Sequence, residues 1–249
     1  MLLEKIYFNI FGVKFNGDNA VYDRYLWLKK NLVVLSEDAN FLDVGCGNGW
    51  ALPLAAKVGF KNVIGLSWNK FEIEKIKQRF RKVKNVDAKI LDVRNLDEYT
   101  PVTKFDVIIN FENLEHILNG EKLIKDISNL LKEGGLLYLT TPNILYKKVF
   151  GDGLIKKYPI EDGGHVVRGY SKERLDSIFI KHGLKIILVS YISGRFSRML
   201  ITIERILPFK MLKIFYIPIT LLCNFMDSLF YKDDKNNMTI AVVAEKIKL

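Results

Sequence analysis

The chain has 249 residues, of which 49% are hydrophobic, and its 38 Lys and Arg against 28 Asp and Glu give a net charge of +10. This length and apolar content exclude an intrinsically disordered chain and predict a single domain, residues 1–249, with a full core. The positive charge favours an anionic environment, such as nucleic acid, a phosphorylated substrate or an acidic lipid surface, without choosing among them.

The cysteines and the N-terminal segment indicate where the chain resides. Cys46 and Cys223 lie far apart and form neither a disulfide framework nor the ligand spacing of a zinc site, so we expect a reducing compartment and no metal. The first residues, MLLEKIYFNIFGVKF, include early charges at Glu4 and Lys5 and lack the layout of a secretory signal. We therefore expect a cytoplasmic protein, or a peripheral one at the inner membrane face.

Short apolar runs alternate with helix-length segments along the chain. The runs that predict strands are NFLDVG, NVIGLS, DAKILDV, FDVIINF, GLLYLTT, LKIILVSYI and MTIAVVAEKI. The segments that predict helices are WALPLAAKVG, NKFEIEKIKQRFRKV, EKLIKDISNLLKEGG, which ends at Gly134 and Gly135, and SKERLDSIFIKHG, which begins at the cap Ser171. This alternation predicts a doubly wound α/β fold in which ligands bind at the carboxyl ends of the strands.

The first strand is followed by a turn in which Gly45, Gly47 and Gly49 alternate before a helix opens at Trp50. Glycines let the backbone approach a ligand, and amides at a helix N-terminus favour a carboxylate or phosphate. Trp50 replaces the third glycine of the dinucleotide pattern and no Walker lysine follows, so neither NAD nor ATP is indicated. A tight strand-to-helix turn without a ligand is the alternative.

The run LDVGCGNGW resembles the first motif of class I S-adenosylmethionine-dependent methyltransferases, and weaker motifs of that family follow in order up to Thr141. The resemblance implies a Rossmann-like sheet of seven strands, the last antiparallel, with a cofactor core at about 35–145 and substrate loops and an insertion at about 145–237. It implies S-adenosylmethionine as cofactor. The turn, including Cys46, would line its methionine end, and Asp43 would orient the loop and the cofactor's amino group.

Ser67 stands where this family usually carries an acid that accepts both ribose hydroxyls. A serine hydroxyl and the neighbouring Asn69 amide offer weaker contacts, so the affinity is expected to fall without binding being lost. Trp68 would lie against the adenine, or pack above the following helix. By the same resemblance Asp92 would accept the adenine amino group beside Val93; capping of a turn is the alternative for Asp92.

The run FDVIINFENLEH, residues 105–116, matches the family's fourth strand and the loop that faces the methyl group, with Asn110 as a cofactor contact. It lacks the prolines of enzymes that methylate base amines. The Glu115 and His116 pair, together with LLKEGGLLYLTTPN, resembles the branch of ubiquinone-, menaquinone- and glycan-modifying methyltransferases, which mostly act on small molecules.

A hydroxyl acceptor needs a base, because the sulfonium already activates the methyl group. His165 and His116 are the candidates, whereas His182 is a helix-end cation. His165 lies in a glycine-bearing loop where the family places substrate contacts, which here would include Arg168 and Tyr170, with Glu115 from the preceding loop. A structural pairing of His116 with Glu115 is the alternative for His116.

Two basic segments are candidate contact surfaces for a binding partner. Residues 75–84 hold six basic side chains in ten, which a solvated helix face explains and RNA binding would also use. The long connection 193–237 begins with a helix whose apolar face gathers Phe196, Met199, Leu200, Ile203, Ile206 and Leu207. We expect residues 195–222 to lie on an anionic membrane, to cover the sheet, or to form a dimer contact.

These features predict a methyltransferase that modifies a hydroxyl of a small-molecule, glycan or lipid-linked acceptor, with nucleic acid an unlikely partner. The alternatives are an RNA methyltransferase, which would track phosphates with the basic run, and a catalytically inactive cofactor-binding protein, which Ser67 would favour. The oligomeric state stays open.

Overall fold

A computed structural model describes residues 19–146, 164–206 and 216–247. The first half contains α1 (Asn19–Asn31), β1 (Asn40–Val44), α2 (Leu52–Val58), β2 (Asn62–Ser67), α3 (Lys70–Phe80) and β3 (Val86–Ile90). The second half contains β4 (Phe105–Phe111), α4 (Gly120–Leu130), β5 (Leu131–Pro142), α5 (Lys172–Lys181), β6 (Leu184–Ile192), α6 (Arg195–Ile206), α7 (Tyr216–Phe230) and β7 (Thr239–Lys246). Short 3-10 helices, Val93–Glu98 and Leu114–His116, follow β3 and β4.

The strands form one sheet of seven in the order β3-β2-β1-β4-β5-β7-β6. Every pairing is parallel except those of β7, which runs antiparallel to both β5 and β6. The predicted doubly wound α/β fold and its antiparallel last strand are confirmed. The chain reverses its direction of travel across the sheet between β1 and β4, and such a switch point opens a crevice at the carboxyl ends of the two strands.

Two apolar cores cover the two faces of the sheet. All seven residues of β4 are buried, and its alternate side chains divide between the cores, with Val107 and Ile109 on one side and Ile108 on the other. Helices α1, α2 and α3 pack against the first face and α4 and α5 against the second. A strand buried on both sides fixes the position of the loop that follows it.

Local capping explains the start of α5 but not the end of α4. Ser171 caps α5 as predicted, because its side chain accepts a hydrogen bond from the Arg174 amide. The prediction that α4 ends at Gly134 and Gly135 is wrong. Helix α4 ends at Leu130, and Leu131 already pairs with Phe105 of β4, so the glycines lie within β5.

The connection between β6 and β7 carries α6 and α7, which pack against each other, while α6 also contacts α1. The apolar face predicted for α6 divides: Leu200 is buried, but Met199 and Ile203 are exposed. Leu207 lies outside the described residues. Within the described ranges, every helix is too short or too polar to span a bilayer.

Candidate functional site

The glycine turn adopts backbone angles that only glycine accepts readily, with φ of +79° at Gly45, +49° at Gly47 and +70° at Gly49. A Cβ at Gly45 would lie 1.6 Å from the Asn113 amide nitrogen, and one at Gly49 would lie 2.9 Å from Ile76. A Cβ at Gly47 would meet nothing within 4 Å. The first and third glycines therefore serve packing, and the open side of Gly47 is where a ligand can approach the backbone.

Neighbouring strands hold this turn in place. The amides of Gly45 and Cys46 donate to the Leu66 carbonyl at 2.9 and 2.8 Å. The Val44 carbonyl accepts the side-chain amides of Asn110 and Asn113, both at 3.0 Å. Asn110 is fully buried, so its amide positions the turn. The direct cofactor contact expected for Asn110 stays a prediction.

Asp43 and Cys46 are buried beside the turn. Burial raises the pKa of Asp43 to about 8. Burial also raises the pKa of the Cys46 thiol, and the carboxyl groups of Asp43 and Glu72 raise it further. Cys46 therefore packs under the turn, in a buried position that does not favour a nucleophilic role.

At the end of β2 the structure shows how the chain accommodates Ser67. Its hydroxyl donates to Oε2 of Glu72 at 3.1 Å and accepts the Asn69 amide at 3.2 Å. The Asn69 side-chain oxygen accepts the amides of Phe71 and Glu72, so it caps α3. This cap occupies the oxygen of the side-chain amide that the sequence analysis offered to the ribose. Trp68 is 71% exposed, so the alternative that it packs above the helix is wrong.

Asp92 ends β3 and caps the short helix Val93–Glu98, accepting the Arg94 amide at 3.0 Å. The Arg94 side chain also pairs with Asp92, and this hydrogen bond lowers the pKa of the carboxyl group. The capping alternative is thus confirmed, although an ionised carboxylate retains lone pairs for a further donor. Val93 is buried in the core beside it.

The two candidate bases lie together, although 48 residues separate them in the sequence. The rings of His116 and His165 are 4.7 Å apart and nearly perpendicular. The Glu115 carbonyl accepts the amides of Val166 and Val167 at 2.9 and 3.0 Å, which fastens the His165 loop to the segment after β4. Nδ1 of His116 is 3.0 Å from the Gly164 carbonyl. These backbone contacts assemble the pair.

The Glu115 carboxyl group is buried below the histidines. Oε2 accepts the Thr141 hydroxyl at 3.1 Å, and Oε1 lies 3.9 Å from Nε2 of His116. Burial raises the pKa of Glu115, and the Glu112 carboxylate raises it further. Because only 1% of the Glu115 side chain is exposed, direct contact with a substrate, as predicted, is not what this geometry favours.

Glu115, His116 and His165 also form a group that could hold a metal ion, with one ligand atom from each within 4.8 Å of the others. The expectation of no metal considered only the cysteines and the spacing between ligands in the sequence. It could not include a histidine brought in from a distant loop. Two imidazoles and a carboxylate suit a divalent transition metal.

The remaining predicted substrate contacts divide. Arg168 follows His165 in the same loop and is exposed, whereas Tyr170 is 2% exposed. The Tyr170 hydroxyl donates to the Leu114 carbonyl at 3.4 Å, and its ring lies against Arg174. Tyr170 also lines an open cavity of about 380 Å³ between α4 and α5. The structure therefore gives Tyr170 a packing role behind the 114–120 segment.

Sequence reasoning missed three side chains at this edge. Asn113 packs on Gly45, and Glu72 reaches Ser67. Glu112, whose φ is +51°, pairs with Arg24 of α1 at 3.1 Å. The spacing of Asn69 and Glu72, which is that of a helix capping box, was the one visible signal among them.

A family model described as a methyltransferase domain matches residues 22–189. This chain belongs to the methyltransferase domain family. The Mycobacterium tuberculosis methyltransferase described as S-adenosylmethionine-dependent is 25% identical over 123 residues, which cover 47% of this chain and 43% of the relative. The ubiquinone biosynthesis O-methyltransferase of Pelagibacter ubique is 32% identical over 130 residues, with coverage of 48% and 52%. The chain spans about half the length of these curated relatives.

The fold of this methyltransferase domain also matches solved structures. An S-adenosylmethionine-dependent methyltransferase from Listeria monocytogenes aligns with a TM-score of 0.61 at 17% identity, covering 92% of this chain and all of that one. At this identity the match shows the fold alone. The family model and the relatives, rather than this fold match, make S-adenosylmethionine the cofactor, as the sequence predicted.

Proposed function

We propose that this methyltransferase transfers a methyl group from S-adenosylmethionine to a hydroxyl oxygen of a small-molecule, glycan or lipid-linked acceptor. The observation that carries the proposal is the pairing of His116 and His165 at 4.7 Å, beside a loop whose Asn113 contacts the glycine turn. A base next to the cofactor turn is what a hydroxyl acceptor requires. The O-methyltransferase named for ubiquinone biosynthesis supports oxygen as the acceptor atom.

The turn residues fit this cofactor. The open side of Gly47 leaves backbone amides accessible to its carboxylate, and Asp43 lies behind the same turn. Trp68, exposed at the end of β2, offers a ring for the adenine, and Asp92 offers lone pairs to the adenine amino group. When bound, the cofactor supplies an electrophilic methyl group, so the chain must position the acceptor and remove its proton.

His116 is the base that the geometry favours. The Gly164 carbonyl can only accept, so Nδ1 of His116 carries the hydrogen and Nε2 carries the lone pair. Nε2 would therefore accept the proton of the acceptor hydroxyl, while the bound cofactor would supply the methyl group and leave as S-adenosylhomocysteine. Oε1 of Glu115 lies 3.9 Å from Nε2, and His165 packs against the ring edge and limits its rotation.

The test compares His116→Gln and His165→Gln with His182→Gln, a control whose ring lies at the end of α5 beside Glu121. Labelled S-adenosylmethionine is incubated with fractionated lysate to find the acceptor, and mass spectrometry locates the methylated atom. We expect His116→Gln to lower kcat by about 10²- to 10⁴-fold while S-adenosylhomocysteine still binds. Unchanged turnover in both variants would exclude the histidine base, and label in RNA would favour the RNA methyltransferase.

We further propose that α7 places the protein on an anionic lipid surface, where a lipid-linked acceptor would lie. Among its described residues, helix α7 turns two polar side chains and Cys223 inward and exposes most of its large apolar side chains. It buries Thr220 and Asp227, whereas Leu222, Phe225 and Leu229 are each 58 to 59% exposed. These three residues are spaced three and four apart and share one face. Such a face suits the headgroup region of acidic membranes, because the chain as a whole carries a net charge of +10.

Vesicle flotation tests this surface. We expect the protein to float with vesicles rich in phosphatidylglycerol and the triple variant Leu222→Ser, Phe225→Ser, Leu229→Ser to stay unbound. The control carries Val102→Ser and Ile187→Ser, which remove exposed apolar groups elsewhere. Substitution is preferable to deletion of residues 195–222, which would remove the α6 amides that Asp227 accepts. Equal flotation of the triple variant and wild type would contradict the proposal.

A further inference from the structure

A carboxylate lies at the end of β2 after all, but it comes from helix α3. Oε2 of Glu72 is 3.1 Å from the Ser67 hydroxyl, and Ser67 is the last residue of the strand. We infer that Glu72 is the acceptor for the ribose hydroxyls of the cofactor and that Ser67 orients it. This inference rests on the proposed placement of the cofactor over the glycine turn.

The capping pattern at the start of α3 frees this carboxylate. Glu72 stands three residues after the N-cap Asn69, the position from which a glutamate usually accepts the N-cap amide. Here the Asn69 amide donates to the Ser67 hydroxyl instead, at 3.2 Å. Ser67 has thus replaced Glu72 in the cap, and the carboxylate turns toward the end of the strand.

The orientation of α3 directs Glu72 toward the cofactor turn. Glu72, Ile76 and Arg79 are spaced four and three residues apart and share one face of the helix. Ile76 lies against Gly49, since a Cβ there would be 2.9 Å away, and Arg79 donates to the Asn48 carbonyl at 3.2 Å. Two members of the face therefore touch the turn, and Glu72 extends that face to the carboxyl edge of β2.

The hydrogen bonds that Ser67 and Glu72 already make favour Glu72 over Ser67 as the ribose contact. The Ser67 hydroxyl hydrogen is donated to Glu72, and its oxygen already accepts the Asn69 amide. Among the described residues, Ser67 is the one side chain that donates to the half-buried Glu72 carboxylate. A carboxylate has about four acceptor positions, so two hydroxyls can still be accommodated.

The experiment measures discrimination between two ligands by calorimetry: S-adenosylhomocysteine and its 2′-deoxyribose counterpart. We expect wild type to bind the deoxy ligand at least about tenfold more weakly, because a hydrogen bond to a charged acceptor is lost. In Glu72→Ala the two affinities should differ by less than about twofold. The control is Glu74→Ala, an exposed carboxylate on the same helix that pairs with Lys70 and should keep the full ratio.

The ratio of the affinities for the two ligands is insensitive to partial unfolding, because unfolding weakens the binding of both ligands equally. A wild-type ratio retained in Glu72→Ala, with S-adenosylhomocysteine still bound tightly, would overturn the inference and leave the proposed function intact. Equal binding of the two ligands by wild type would also overturn it. Failure of wild type to bind S-adenosylhomocysteine would overturn the cofactor placement and this inference together.

Discussion

The glycine turn and helix α7 differ in which of their groups are buried and which are exposed. At the turn, apolar side chains are buried and the exposed element is backbone, as at the open side of Gly47. In α7, Thr220 and Asp227 are buried and Phe225 faces outward. The turn is thus shaped by the chain's own packing, whereas the exposed apolar side chains of α7 are the basis of the proposed lipid contact.

Polar contacts explain how α6 and α7 stay attached despite this reversal. Asp227 accepts the amides of Phe196 and Ser197, which begin α6, at 2.9 and 2.8 Å. Gly194 permits this approach, because a Cβ there would lie 2.5 Å from the carboxylate. Hydrogen bonds to a helix end therefore help to dock the insertion, while apolar side chains such as Phe225 remain exposed.

The largest predicted effect concerns packing at the turn. Gly45→Ala should lower the free energy of unfolding by about 3 kcal/mol, because the left-handed backbone resists a Cβ and the Asn113 amide must move. Gly47→Ala, where the space is open, should lower it by only about 1 kcal/mol yet weaken cofactor binding. Urea unfolding and calorimetry separate the two. Equal destabilisation would show that Asn113 does not define the turn.

The second prediction concerns the buried contact between α1 and the insertion. Burial raises the pKa of Asp23 to about 7, the Ser193 hydroxyl lowers it and the Asp227 carboxylate raises it. The folded state therefore binds a proton that the unfolded state, with a pKa near 3.8, has released. Stability from this site is fully present below pH 4 and is lost as the pH rises through 7.

Comparison with Asp23→Asn isolates this contribution. Between pH 5 and pH 7 the stability of wild type relative to Asp23→Asn should fall by about 2 kcal/mol, measured by urea unfolding at each pH. Asp43, whose pKa burial also raises, is present in both proteins and cancels in the difference. Parallel stability curves for the two proteins would show that Asp23 keeps an ordinary pKa.

The fold was predictable because its signals are local. The apolar runs matched the strands, and a glycine turn after the first strand placed the ligand edge. The end of α4 was mispredicted because strand pairing at Leu131 overrode the glycine stop signal. Turn residues are weak determinants where a neighbouring buried strand already fixes the backbone.

The candidate site was predictable only where its residues follow one strand. Nothing in the sequence pairs His116 with His165, because their contact depends on backbone hydrogen bonds from Glu115 to a distant loop. Trp68 shows the converse difficulty. Its position after β2 was clear from the sequence, but its exposure depends on the three-dimensional surroundings, which the sequence does not give.

The smallest predicted effect tests whether the Glu72 carboxylate faces the cofactor at the end of β2. The family pattern predicts that Ser67→Asp strengthens cofactor binding, but Glu72 makes the opposite outcome the expected one. A second carboxylate would lie about 3 Å from the first, and mutual repulsion should weaken S-adenosylhomocysteine binding by about tenfold. Adding Glu72→Gln leaves one carboxylate, on the strand, and should restore wild-type affinity in calorimetry. Tighter binding by the single variant would mean that Glu72 points away from the ribose.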